Sequence, residues 1–310
     1  MVVTVDNTPV RKARVIVNTD AKNEADDQYA IVHAILTPSF ELHGIIPAHF
    51  GTRRSTESMA ESRAEVDKLL DLMGLTGAIT VADGAAAALP DVDTPVRSPG
   101  ADLIIAEALR DDPRPLYVAF YGPLTDMASA LLLEPAIADR DVVVLWIGGG
   151  PWPAGGPEFN LSNDVHAANV VFRSRLQVWQ IPSPAYKLMP VSYAELQAKV
   201  SPQGPLGRYL VDQLVAWNSR WVDAPIEYRS LGDSPAVGVI MYPDCGPWEL
   251  RPAPEFDDDM SYRHTGRNWP VRVYQSVDAR FILEDFFAKL AAFAQSSAGS
   301  RRDEQRTHAD

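Results

Sequence analysis

Cysteine is almost absent from this 310-residue chain: Cys245 is the only one. An internal disulfide is therefore excluded, and so is any zinc site built on cysteine pairs. Basic residues are in deficit, with 28 Lys and Arg against 41 Asp and Glu and a formal net charge of −13. That balance argues against nucleic acid or an anionic membrane as the main partner, because phosphate binding needs a basic surface. No apolar run reaches the length needed to cross a bilayer. The first twelve residues lack the apolar stretch of a secretory signal, so a cytoplasmic location is expected. No P-loop, dinucleotide glycine fingerprint, nucleophile-elbow serine or zinc helix motif occurs.

What the chain does have is the composition of a folded protein, 46% hydrophobic and 22% charged, which excludes wholesale disorder and fibrous designs. Apolar runs of strand length (15–17, 42–46, 79–81, 116–120, 142–147 and 177–181) alternate with helical patterns at 26–36, 55–73, 101–110, 125–133 and 165–173. Continuous apolar strands separated by helices predict an α/β fold with a mainly parallel, doubly covered sheet and a Rossmann-like core. In such a sheet, ligands sit beyond the carboxyl ends of the strands. The second half is less regular, with helices predicted near 193–200, 206–221 and 278–293, a strand at 271–275, and loops and short strands between Pro243 and Pro270. One domain is expected over 13–294, between a tail at 1–12 and a polar, disordered C-terminal tail at 295–310.

The most informative stretch runs from Asn18-Thr19-Asp20 to Asp26-Asp27, where the first strand gives way to the first helix. Asp26 and Asp27 alone have an ordinary explanation, since carboxylates cap helix N-termini and suit the helix dipole. Asp20 shifts the balance, because three carboxylates at the end of a buried strand repel one another unless a hard cation sits among them. Calcium fits best, with a loose oxygen shell that accepts carboxylates, carbonyls and water together. Other strand ends carry polar groups too: Tyr121-Gly122-Pro123-Leu124-Thr125-Asp126, Gly148-Gly149-Gly150 and Glu158-Phe159-Asn160, with Asp233 ahead of the apolar run 235–240. A helix cap is the competing reading for Asp233, and a flexible turn for the glycines.

Taken in order, these pieces resemble the inosine–uridine-type nucleoside hydrolase family. The match rests on the acidic opening Asn18-Thr19-Asp20 through Asp26-Asp27, then Gly122 to Ala128, Gly148-Gly149-Gly150, Glu158-Phe159-Asn160 and Asp233, and covers about 14–290. The resemblance implies a calcium-dependent hydrolase that cleaves the N-glycosidic bond of a ribonucleoside or related riboside. It implies Asp20 as both metal ligand and catalytic base, with Asp27, Asp233 and the Tyr121 carbonyl as further ligands. Asp26, Glu158 and Asn160 would hold ribose hydroxyls. Relatives of this kind are homodimers or homotetramers, and the same is expected here.

The departures are equally specific. Asn18 stands where the family opening has an aspartate, and two extra residues separate Asp20 from Asp26, so Lys22 or Glu24 comes within range of the pocket. The family Gly-Asn after the second strand is replaced by Pro47-Ala48-His49-Phe50. Gly232 occupies the position where purine-active relatives carry a histidine, which implies weak inosine cleavage. His49, Tyr228, Tyr262 and His264 are the candidates to replace that acid, and Trp152 to stack on a base. Trp217, Trp221 and Phe172 read as core or subunit contacts. Two alternatives stay open: a hydrolase of a different glycoside or ribosylated metabolite, and a non-catalytic, calcium-stabilised sugar-binding protein.

Overall fold

The β-branched run Val15-Ile16-Val17 lies at the centre of β1 (Ala13–Thr19), and all three side chains are buried. Their directions alternate, as they must in a strand: Val15 and Val17 enter one hydrophobic layer and Ile16 the other. A computed structural model describes residues 12–221 and 226–307. After β1 come α1 (Asp27–Leu36), β2 (Phe40–Pro47), α2 (Ser58–Leu72), α3 (Pro99–Leu109), β3 (Leu116–Phe120), α4 (Thr125–Leu133) and β4 (Val142–Ile147). Next are α5 (Phe159–Asn163), α6 (Val165–Arg173), β5 (Gln177–Ile181), α7 (Ser183–Tyr186), β6 (Pro190–Ser192), α8 (Tyr193–Lys199) and α9 (Gly204–Trp221). The chain closes with β7 (Tyr228–Ser230), α10 (Ser234–Met241), β8 (Trp248–Pro252), β9 (Glu255–Phe256), β10 (Tyr262–Arg263), β11 (Pro270–Tyr274) and α11 (Ala279–Thr307).

The main sheet has seven strands in the order β2-β1-β3-β4-β5-β11-β8. All neighbours run parallel except β8, which pairs antiparallel with β11 at the edge. Side chains of α1, α2, α9, α10 and α11 fill one face, and those of α3, α4 and α6 fill the other. β4 shows why its run is apolar without alternation: Val143, Leu145 and Ile147 enter the first layer, Val142, Val144 and Trp146 the second. The strand order reverses between β1 and β3, so the crevice of such a sheet opens at the carboxyl ends of these two strands.

Two expectations differ from the structure. The run at 79–81 forms a single bridge, Val81 to Ile45 beside the edge strand β2, and not a full strand; its backbone bonds go to one residue, with the Ile45 amide donating to the Thr80 carbonyl at 2.9 Å and the Ile45 carbonyl accepting from the Ala82 amide at 3.0 Å. The helical backbone of α11 continues to Thr307, through most of the stretch expected to be a disordered tail. Its Ala, Gln, Arg and Glu residues are strong helix formers even without an apolar face. Residues 1–11 of the expected N-terminal tail and 308–310 lie outside the described residues, as does the Trp221 side chain. Phe172 is buried in the layer of α3, α4 and α6, and Trp217 packs against the opposite layer.

Candidate active site

β1 delivers its last residue, Thr19, to the crevice, and the segment that follows turns at once, with the Asn23 amide donating to the Asp20 carbonyl at 2.7 Å. This places the Asp20 side chain in the interior, 1% exposed. Its Oδ2 has no hydrogen-bond partner. The space it occupies exists because position 122 is glycine: a Cβ there would lie 2.9 Å from Asp20 Cγ. β3 supplies this turn, so the ends of the two switch-point strands are fitted to each other.

Asp26 and Asp233 both stand at N-cap positions, of α1 and α10, yet neither side chain caps its helix. Asp26 Oδ2 instead accepts from the Gly232 amide at 2.8 Å, joining the two helix starts. Asp27, the first residue of α1, accepts from the Thr19 hydroxyl at 2.6 Å. Asp26, Asp27 and Asp233 each present a carboxylate oxygen within 4.8 Å of the others. The capping explanation therefore fails for two of the three, and the carboxylates converge on one another. Asp20 lines the same pocket but lies outside that tightest group.

Burial and repulsion act together on these acids. Burial, followed by repulsion from Asp27, Glu24 and Asp26, raises Asp20 well above the ordinary carboxylate range. Asp233 is raised for the same reasons, burial first and then Asp27, Asp26 and Asp20. Burial lifts Asp27 to about 8, and it lifts Asp26 to about 6 against the opposing pull of Arg229. Arg229 is itself engaged, with Glu24 and with Asn218 Oδ1. Four buried carboxyls, one with an unpartnered oxygen, suit a hard cation bound through oxygen.

The rest of the wall is built by hydrogen bonds between strand ends. Asn160 Nδ2 donates to the carbonyls of Tyr121 at 2.7 Å and Ile147 at 2.8 Å, tying β3 to β4 and leaving the amide oxygen for a ligand. Glu158 caps α5, accepting from the amides of Asn160 and Leu161. It also accepts from the Gly149 amide at 2.8 Å and the Tyr186 hydroxyl at 2.9 Å. Four donors fill the acceptor positions of one carboxylate, so Glu158 lines the pocket chiefly as a brace. Gly149 has φ +86°, a left-handed conformation that suits glycine.

Of the residues expected in the site, the structure brings together Asp20, Asp26, Asp27, Tyr121, Glu158, Asn160 and Asp233 around one pocket, and Glu24 joins them. Lys22 turns away to Glu65, at 2.7 Å. His49, Trp152, Tyr228, Tyr262 and His264 do not line it. His49 is sealed in the interior, where Nδ1 accepts from the Gly51 amide at 3.1 Å and Nε2 meets the Thr125 hydroxyl at 2.8 Å. Trp152 bonds Gln180 Oε1 at 2.9 Å and lies beside His264. His264 Nε2 bonds the Pro153 carbonyl at 2.7 Å, and the Tyr262 hydroxyl donates to the Gly150 carbonyl. Tyr228 is exposed on β7. Sequence reasoning missed Asn23, Phe159 and, above all, Tyr186. Tyr186 stands shortly after the carboxyl end of β5, so the rule that located the other strand-end residues applies to it equally. A Cβ on Gly232 would lie 3.1 Å from Tyr186 Cδ2, so this ring occupies the space a larger residue at 232 would need.

Residues 15–282 match the model of the inosine-uridine preferring nucleoside hydrolase family. The chain belongs to that family. Among curated proteins, the pyrimidine-specific ribonucleoside hydrolase RihA of Salmonella newport (strain SL254) is 26% identical over 178 residues, 49% of this chain and 55% of that protein. The match thus spans about half the length of this relative. The inosine-uridine preferring nucleoside hydrolase of Crithidia fasciculata is 35% identical over 83 residues, 26% of each chain. Among solved structures, a purine-preferring ribonucleoside hydrolase from Gardnerella vaginalis superposes with a TM-score of 0.73 at 20% identity, over 91% of this chain and 99% of the other. A plant nucleoside hydrolase gives 0.71 at 18% identity, over 90% and 99%. At these identities the likeness establishes the fold. Within this family fold, the acidic pocket lies at the carboxyl ends of the switch-point strands. Among the described residues no helix is long and apolar enough to cross a membrane.

Proposed function

We propose that this nucleoside hydrolase family member is a calcium-dependent enzyme that cleaves the N-glycosidic bond of a riboside. The observation that carries the reading is the Asp20 carboxyl, buried with an unpartnered oxygen beside three further aspartates. Asp20, Asp27, Asp233 and the Tyr121 carbonyl would hold the calcium, whose charge acidifies and orients a water when the ion is bound. Burial and the neighbouring carboxylates disfavour the ionised form of Asp20, and a nearby cation favours the ionised form that a base requires. Asp20 then takes a proton from the attacking water as the C1′–N bond breaks and its electron pair leaves with the base. Asp26 and the Asn160 amide oxygen accept hydrogen bonds from ribose hydroxyls. The cluster's negative charge stabilises the oxocarbenium-like sugar as positive charge develops. Glu158 holds Gly149, α5 and Tyr186 in register around the sugar. A cytoplasmic location and a homo-oligomeric state belong to the same proposal and rest on family likeness.

The test is turnover of purine, pyrimidine and non-nucleoside ribosides by purified protein, with calcium and after chelation. Calcium-dependent ribose release that Asp20→Asn abolishes supports the reading. Release of sugar at an unchanged rate by that variant would overturn the assignment of the base.

A further inference from the structure

The acidic pocket is small, about 60 Å³, and a second cleft of about 290 Å³ adjoins it, with Glu24 forming part of both walls. The cleft differs sharply in chemistry. Phe50 and Trp217 provide aromatic surface, and Lys22, Arg54 and Arg220 provide positive charge. Arg54 stands on the boundary: it bonds the Asn23 carbonyl at 2.7 Å, and its guanidinium lies 4.6 Å from the centre of the Phe159 ring and 5.5 Å from that of Trp217. Asn23 and Phe159 line the acidic pocket, whereas Trp217 lines the cleft.

Lys22 is paired with Glu65, and Glu24 with Arg229. Glu61 accepts from the Ser55 hydroxyl. Arg220, near the end of α9, has no ion pair among the described residues. One guanidinium stacked on aromatic faces, with a second on the same cleft wall, suits a flat or small group with planar anionic oxygens, which a fork of N–H donors binds in pairs. A stacked arginine is also held in place before the ligand arrives.

We propose that the substrate is an anionic riboside, whose carboxylate or phosphate is bound in this cleft by Arg54 and Arg220 while its ribose occupies the acidic pocket. This assignment rests on the reading of the acidic pocket as the ribose site and deepens it by naming the class of substrate.

The experiment compares kcat/KM for uridine, its 6-carboxylate (orotidine) and its 5′-monophosphate, using the wild-type protein and Arg220→Gln. Calorimetric titrations of free orotate, uracil and inorganic phosphate onto both proteins run alongside. An anionic riboside should exceed uridine by roughly 10-fold or more, and Arg220→Gln should shrink that ratio toward one, the scale of one charge-assisted hydrogen bond. Preference for orotidine places the anion on the base, and preference for the monophosphate places it on the sugar; either supports the assignment. If no riboside is cleaved, the hydrolase reading fails on its own. The cleft assignment then stands if orotate or phosphate binds and Arg220→Gln weakens that binding at least severalfold. Uridine turned over as well as both anionic ribosides, or, without turnover, no orotate or phosphate binding that depends on Arg220, overturns it.

Discussion

Replacing Asp20 by Asn should make the metal-free protein more stable and the enzyme inactive. The wild-type carboxyl is buried, its Oδ2 has no partner, and Asp27, Glu24 and Asp26 repel its charged form. A buried polar group without a partner costs about 1–3 kcal/mol. A neutral amide of the same shape removes the charge and can donate toward the surrounding carboxylates. At about 2 °C per kcal/mol for a chain of this size, the melting temperature in chelator at pH 7.5 should rise by about 2–6 °C. Calcium should reverse the order, because any ion that binds only the folded state stabilises it by mass action, and the variant would lack one of the proposed ligands. Turnover should fall by about 10²–10⁴-fold, the worth of a positioned base. The assays are thermal melts with and without calcium, and ribose release under saturating substrate. A variant that melts below wild type in chelator, or keeps more than about a tenth of its turnover, refutes the reasoning.

Three further outcomes follow from the same geometry. Gly122→Ala puts a Cβ 2.9 Å from Asp20 Cγ, so kcat should drop more than roughly tenfold through displacement of Asp20, at a stability cost of about 1–3 kcal/mol; steady-state kinetics and melts check both. His49 is pushed down to about 4 by burial, whereas an unfolded histidine titrates at about 6.5. The unfolded chain therefore binds more protons between those values, and stability should fall as pH drops through that window, by up to roughly 3 kcal/mol. Denaturant titrations should show a shallower pH slope in His49→Gln. Tyr186→Phe removes one of the four donors to Glu158, and kcat/KM should fall by about 2- to 10-fold with the fold intact, read by kinetics and circular dichroism.

Much of this was legible in the sequence, for identifiable reasons. The strands 142–147 and 177–181 and the helices 125–133 and 165–173 agree with the structure to the residue, because uninterrupted apolar runs and amphipathic patterns are bounded there by polar or turn residues. The acidic pocket was legible because chain order and strand ends are properties of sequence once the sheet is parallel. What sequence could not give is side-chain direction. His49 follows β2 at the rim, as a site residue would, yet its ring turns inward to Thr125 and Gly51. Trp152 and His264 lie together beside Tyr262 outside the pocket, in contacts that depend on how distant loops meet. Glu158 was found, but its occupation by four donors depends on Gly149 and Tyr186 arriving from two other strand ends.

A crystal grown with calcium and a ribose analogue, with the ion located by its anomalous signal, tests the central claim most directly. The account predicts one ion held by Asp20, Asp27, Asp233 and the Tyr121 carbonyl, with the sugar hydroxyls on Asp26 and Asn160. An ion held by Asp26, Asp27 and Asp233 without Asp20, or no ion at saturating calcium, would contradict it.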